Sequence, residues 1–382
     1  MDFAFTEEQL MIRESAIAFL QNVSDSESIR KAMATDQGYD EAVWASLCQE
    51  LYLQAITVPE DFGGLGLGFV ELVAVMEQMG QYLLCAPFFS TVCLAATAVR
   101  LAGNDDQQAD FFAKLLEGET SALAFTSNTY FNSKGVEVTY KKVGDQFVLN
   151  GEYRYVVDGH TAKNLVLVAR EEGSVKHDGL AFFIVPADTQ GITRQWLPTV
   201  DQTRKMATIT LDNLMLDAAS LMQENAVDVF HHVLDLATIT LAAEQVGGAQ
   251  KALDLTVEYT KERVQFNRPV ASFQSVKHKA ADMMTRVEAA RSGVYYAACV
   301  ADDALNAGPL ADELKEAASI VKAAASEAYF QNAGDAIQLH GGVGFTWEYD
   351  VHMYFKRAKA SEHFLGNAAY HRERLAKDLL GE

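Results

Sequence analysis

Tyr259-Thr260-Lys261-Glu262-Arg263-Val264-Gln265-Phe266-Asn267-Arg268-Pro269-Val270, followed by Phe273-Gln274-Ser275-Val276-Lys277-His278-Lys279, decides the reading of this chain. Pro269 cannot continue a helix and restricts the residues just before it. Ser272 stands where a helix N-cap is expected. Arg263 therefore falls in the last turn of one long helix and Gln274 in the first turn of the next. The corner points a guanidinium, an aromatic ring and an amide at one neighbourhood. An Arg fork suits phosphate oxygens, and Phe266 offers a flat face to a ring. From spacing alone, the same residues also describe an ordinary helix-loop-helix corner with a solvated Arg.

Working outward, residues 6 to about 120 read as helical. Thr6-x-x-Gln9 is a capping box for the first helix. Trp44, Leu47, Leu51 and Leu53 form an apolar stripe near helical spacing. The run Val58-Pro59-Glu60-Asp61-Phe62-Gly63-Gly64-Leu65-Gly66-Leu67-Gly68 is Gly-rich, but no Lys-Ser/Thr follows it, so a phosphate loop is a poor reading. A tight, backbone-crowded loop before a helix over Val70–Met79 fits better. Between 121 and 226 the texture changes to short β-rich runs punctuated by Gly144-Asp145, Asn150-Gly151, Asp158-Gly159 and Asp178-Gly179. This predicts a small antiparallel β domain, a barrel or sandwich, with Met206–Leu211 as its last strand. From 227 onward the pattern is helical again, with Gly308-Pro309 as a break. The domains are thus 1–120 (helical), 121–226 (β) and 227–382 (a four-helix-like bundle), an α+β multidomain protein.

Nearly half of the 382 residues are apolar, enough for a large core, and the net charge is −21. That balance argues against nucleic acid and anionic membrane as partners. A site for any polyanion must then be locally basic. Cys48, Cys85, Cys93 and Cys299 are scattered without metal spacing and read as reduced thiols of a cytoplasmic protein. The acidic N-terminal residues are no signal peptide, and no apolar run is long enough to span a bilayer. Gln338-Leu339-His340-Gly341-Gly342-Val343-Gly344 follows a helix rather than a strand, so a Rossmann fingerprint is a poor reading. Its glycines let backbone approach another molecule closely. His340 reads as a packing or capping residue rather than a ligand, and His231-His232 as a partly exposed pair.

The corner at Arg263 closely resembles the Arg-x-Gln-Phe-Gly-x-Pro-[hydrophobic]…Phe-Gln segment of the acyl-CoA dehydrogenase family. Asn267 stands where that family usually has Gly, and Asn tolerates a left-handed turn better than most residues. Pro59-Glu60-x-Phe62-Gly63-Gly64-x-Gly66 is a second resemblance, and Gln338-x-x-Gly341-Gly342 a third. The resemblance covers essentially the whole chain. It implies the family's three-part fold, FAD as cofactor, α,β-dehydrogenation of an acyl-CoA, and an electron-transfer flavoprotein or similar acceptor. It further implies that Arg263, Phe266, Gln274, Gln338, Gly341 and Gly342 meet the ADP half of an FAD bound mainly by a neighbouring homologous subunit.

The departures from the family cluster on the other half of that cofactor. The usual catalytic Glu aligns with Leu365, followed by Gly366-Asn367, and the alternative Glu with about Ala237. Thr126-Ser127-Asn128-Thr129-Tyr130 lacks the family's Ala-Gly-Ser-Asp. The Trp-Ile-Thr that cradles isoalloxazine appears as Tyr155-Val156-Val157, and the helix Arg that serves coenzyme A as about Thr238. Glu244 remains as a candidate base, two helical turns beyond Ala237 on the same face. It reads equally as a structural Glu paired with an Arg or facing another subunit. Three expectations follow. One is a subunit of a heteromeric dehydrogenase for bulky CoA thioesters, such as steroid side chains, that completes a partner's FAD site. Another is a homo-oligomeric dehydrogenase using Glu244. The last is a flavin-free scaffold, against which the retained Arg263, Gln274 and Gln338 speak.

Overall fold

The computed structural model describes residues 5–174 and 178–381. They form two compact units, each drawn from discontinuous segments. One comprises Lys31–Gly68 and Cys85–Ala237, the other Met1–Arg30, Phe69–Leu84 and Thr238–Glu382. In chain order the first helices are α1 (Glu7–Val23), α2 (Ser26–Met33), α3 (Glu41–Glu50), α4 (Phe69–Gln81), α5 (Thr97–Ala102) and α6 (Asp105–Leu116). The strands follow as β1 (Ser121–Ala124), β2 (Thr139–Val143), β3 (Gln146–Val157), β4 (Asn164–Glu171), β5 (Leu180–Pro186), β6 (Ile192–Leu197), β7 (Met206–Asp217) and β8 (Leu221–Gln223). Then come α7 (Val227–Glu262), β9 (Val264–Gln265), β10 (Arg268–Pro269), α8 (Gln274–Leu305), α9 (Leu314–His340), α10 (Val351–His363) and α11 (Ala368–Leu380).

The unit containing the sheet is built on the order β6-β7-β3-β2-β4-β5-β8, with β1 beside β4. Five pairings are antiparallel, as expected, but β1/β4 and β2/β4 are parallel, so the sheet is mixed. The last strand is β8 rather than Met206–Leu211, and β7 itself continues to Asp217. Every second residue of β3 enters the core as Phe147 and Leu149, and Tyr140, Phe147 and Phe183 meet edge to face within 5.3 to 6.0 Å. The Gly-rich loop is crowded as expected: a Cβ on Gly64 would stand 2.1 Å from the Val58 carbonyl oxygen. Gly63 and Gly66 take φ of +82° and +60°, which glycine adopts at little cost.

In the other unit, α1 opens with the Thr6–Gln9 capping box. Two glycines let α4 and α7 cross at backbone contact. A Cβ on Gly80 would lie 2.0 Å from the Glu244 carbonyl oxygen, and one on Gly247 would lie 1.8 Å from that of Glu77. Gly248 makes the same allowance for the Tyr329 ring of α9. The run from Val233 to Ala249 is buried throughout, so this helix has no solvent face there. Among the described residues no helix is long and apolar enough to cross a membrane, and no cluster of His, Cys, Asp and Glu could hold a metal ion.

Candidate functional site

The helix α7 stops at Glu262, although the Arg263 N–H still donates to the Tyr259 carbonyl at 2.9 Å. A two-residue hairpin follows, with Arg268 opposite Gln265 and Pro269 opposite Val264. Its tip, Phe266-Asn267, has φ of +52° and +63°, the type I′ geometry that tightens a hairpin. Asn267 thus takes the left-handed conformation expected of it. Phe266 takes it too, and its ring is 86% exposed. The guanidinium of Arg268 lies 3.9 Å over Phe273, whose ring meets Phe266 edge-on at 6.2 Å. Ser272 is not the N-cap: Phe273 precedes α8 and no side chain caps it. Ser272 belongs instead to a short turn, and its Oγ is buried without a hydrogen-bond partner. Gln274 is the first residue of α8, and both it and Arg263 are exposed. Arg263 makes no ion pair among the described residues.

The Gln338 segment closes α9. Gly341 has φ +64° and ψ −141°, a backbone conformation open essentially to glycine alone. A Cβ on either Gly341 or Gly342 would meet nothing within 4 Å, so the backbone faces open space. His340, 5% exposed, has Nδ1 at 2.7 Å from the Ala336 carbonyl. Its ring stacks on Tyr259 at 4.3 Å and 17°, and Tyr349 meets both rings edge-on at 5.6 and 5.8 Å. These three rings join the end of α7 to the glycine turn. The segment bearing Arg263, Phe266 and Gln274 and the segment bearing Gln338, Gly341 and Gly342 therefore form one neighbourhood within one chain. The packing role expected of His340 holds. Its partners Tyr259 and Tyr349 give no periodic or spacing signal that would have marked them.

Glu244 stands apart, roughly 28 Å along the α7 axis from Arg263 at 1.5 Å per residue. Its Oε1 accepts from Arg357 Nη1 at 2.8 Å, with side-chain exposures of 3% and 4%. Beside it runs a buried polar chain. Lys322 Nζ donates to Ser326 Oγ and to the carbonyls of Ser361 and Glu362 at 2.8 to 3.1 Å. Ser326 Oγ donates to Gln245 Oε1 at 3.2 Å, and Gln245 Nε2 to Ser361 Oγ at 3.1 Å. Burial pushes the Lys322 ammonium down to about 7. Leu365, where the resemblance puts the usual base, is buried with φ +59°, and its carbonyl accepts from His371 Nε2 at 2.9 Å. Burial and the nearby Lys322 push His371 down to about 3.

In the sheet-bearing unit, the two segments matched to the flavin side meet each other. The Arg154 N–H donates to the Thr126 carbonyl at 2.8 Å. Here β3 breaks register between Tyr153 and Val156, and Tyr155 takes φ +60°, the mark of a β-bulge. Val157 is buried and presents no hydroxyl. Thr126 Oγ1 is occupied by the carbonyls of Asn128 and Tyr130 at 3.0 Å.

A groove of about 650 Å³ between α7 and α8 is lined by Asp254, Glu258, Glu262 and Glu288 among others. Four carboxylates make it unfit for a diphosphate. The exposed neighbourhood of Arg263 and the open glycine turn is the better fit for the ADP half of an FAD: it offers a guanidinium without an ion pair among the described residues and backbone that another molecule can approach.

The chain's sequence matches the pattern of the acyl-CoA dehydrogenase N-terminal domain over residues 6–119 and that of the C-terminal domain over residues 227–380. It is 32% identical over 359 residues to acyl-CoA dehydrogenase IpdE2 of Mycobacterium tuberculosis, covering 94% of this chain and 93% of that protein. Its fold superposes on butyryl-CoA dehydrogenase from Megasphaera elsdenii with a TM-score of 0.90 at 26% identity over the full length of both chains. The ChsE4-ChsE5 complex from Mycobacterium tuberculosis gives a TM-score of 0.88 at 27% identity, again over the full length of both. Membership supports an oxidoreductase acting on acyl-CoA. The chain belongs to the acyl-CoA dehydrogenase family.

Proposed function

We propose that this chain takes part in FAD-dependent α,β-dehydrogenation of a bulky acyl-CoA thioester, as the subunit that completes an FAD site seated mainly in a homologous partner. Bound FAD would accept a hydride from the β carbon, and an electron-transfer flavoprotein or similar acceptor would reoxidise it. Arg263 would bind the pyrophosphate, Phe266 and Gln274 the adenosine side, and Gln338, Gly341 and Gly342 would supply an amide and close backbone approach. The observation that carries this reading is the ring cluster of Tyr259, His340 and Tyr349, which gathers those two segments on an exposed face. At the positions the resemblance matches to the flavin N5 hydroxyl and to the usual base, Val157 offers no hydroxyl and Leu365 no carboxylate. On this reading the partner supplies the base, and the ChsE4-ChsE5 complex is a structural relative made of two differently named chains.

A second reading keeps Glu244 as the base of a homo-oligomeric enzyme. What favours it is the burial of its carboxylate in the middle of α7. The cofactor assignment is tested by Arg263→Ala. Losing a charged hydrogen bond of about 1.5–3 kcal/mol should weaken flavin retention roughly ten- to hundredfold while the melting midpoint measured without flavin stays put. Unchanged flavin content in the purified complex would remove Arg263 from the site.

A further inference from the structure

Gly341 and Gly342 have no side chains with which to hold their own turn. Gly344 folds the chain back, so that a Cβ there would stand 2.7 Å from the Ile337 carbonyl oxygen and 3.0 Å from the His340 Cβ. The turn is closed by the Gly341 N–H on the Gln338 and Ile337 carbonyls and the Gly344 N–H on that of Gly341, and the side chain it packs against is His340. Its Nδ1 faces a carbonyl, which can only accept, so Nδ1 carries the proton. The ring lies flat on Tyr259. Tyr259 lies four residues before Arg263, one helical turn away on the same face, and its carbonyl accepts the Arg263 N–H. Tyr349 wedges edge-on against both rings from the chain beyond the turn.

We infer that His340 is a positioning residue: its flat ring, stacked on Tyr259, fixes the Gly341–Gly342 turn at a set distance from Arg263 and so presets the cradle for a diphosphate. This deepens the cofactor reading above and rests on it. A turn already in place need not be ordered when the ligand binds, and binding gains by that difference. The stack, rather than the imidazole's polarity, carries the effect.

The test is FAD affinity of the full-length protein in its native assembly, followed by flavin fluorescence on dilution, with the melting midpoint measured alongside. His340→Leu, which keeps bulk but loses the flat face, should raise the Kd about five- to tenfold. His340→Phe, which keeps the face, should stay within about twofold. Tyr259→Leu attacks the same stack from the other side and should match His340→Leu, with no further loss in the double variant. Equal weakening by Leu and Phe would overturn the inference, because the Nδ1 bond would then be the cause. Wild-type affinity in His340→Leu would overturn it as well. Arg263→Ala separates the two levels: if it weakens binding while His340→Leu does not, only the inference fails. If neither does, the cofactor reading fails with it.

Discussion

The middle and the end of α7 answer their charges in opposite ways. Around Glu244 the helix is sealed. Arg357 meets the carboxylate, glycines at 80 and 247 bring backbones together, and Lys322 spends three donors on three acceptors. Around Arg263 the same helix opens into a hairpin with an exposed Phe266 tip, a guanidinium without an ion-pair partner among the described residues, and a glycine turn facing empty space. A charge matched inside the chain belongs to the fold. A charge left unmatched beside backbone that is open to approach is placed for another molecule.

The largest expected effect comes from breaking the sealed half. Arg357→Met takes the guanidinium away from the buried Glu244 carboxylate and should cost about 3–5 kcal/mol in urea unfolding. Glu244→Leu combined with Arg357→Met should recover most of that loss, since two apolar residues need no partner. Measured without flavin, Arg263→Ala at the open end should stay within about 0.5 kcal/mol of wild type. If Arg357→Met and Arg263→Ala cost the same, the contrast between the two regions is wrong.

A smaller effect comes from acid. His371 is held down to about 3 in the folded chain, against an ordinary value of 6.5. Below pH 6.5 the unfolded chain takes a proton that the folded chain refuses. The stabilisation is therefore complete above pH 6.5 and is lost progressively as pH falls toward 3. Between pH 6.5 and 5.5 the loss should be about 1 kcal/mol. His371→Gln, which can still donate to the Leu365 carbonyl, should flatten that slope. An unchanged slope would mean that the buried imidazole is not what the acid reaches.

The parts of the molecule that were legible in its sequence are those specified locally. The Thr6–Gln9 box, the crowded loop at Gly63–Gly68, the break at Gly308-Pro309 and the left-handed Asn267 each depend on residues within a few positions. What was missed is set by distance or by weak pattern. Arg357 lies 113 residues from Glu244, and nothing near either one announces the pair. The strand β6, Ile192-Thr193-Arg194-Gln195-Trp196-Leu197, reads as polar because it is an edge strand with two of its six residues exposed and none fully buried. The parallel pairings of β4 arise from long connections that leave no turn signature. Ser272 has the right chemistry for a cap, but the turn at Val270–Ser272 starts the helix two residues later.

The flavin-to-chain ratio of the full-length assembly, measured together with turnover of Glu244→Gln, tests the account most directly. Paired non-identical subunits sharing one site should hold about one flavin per two chains. Turnover per folded, flavin-loaded complex should then be nearly intact in Glu244→Gln, because the working base belongs to the partner. A homo-oligomer with one flavin per chain, whose turnover falls by the roughly 10²–10⁴ expected for loss of a general base, would contradict it.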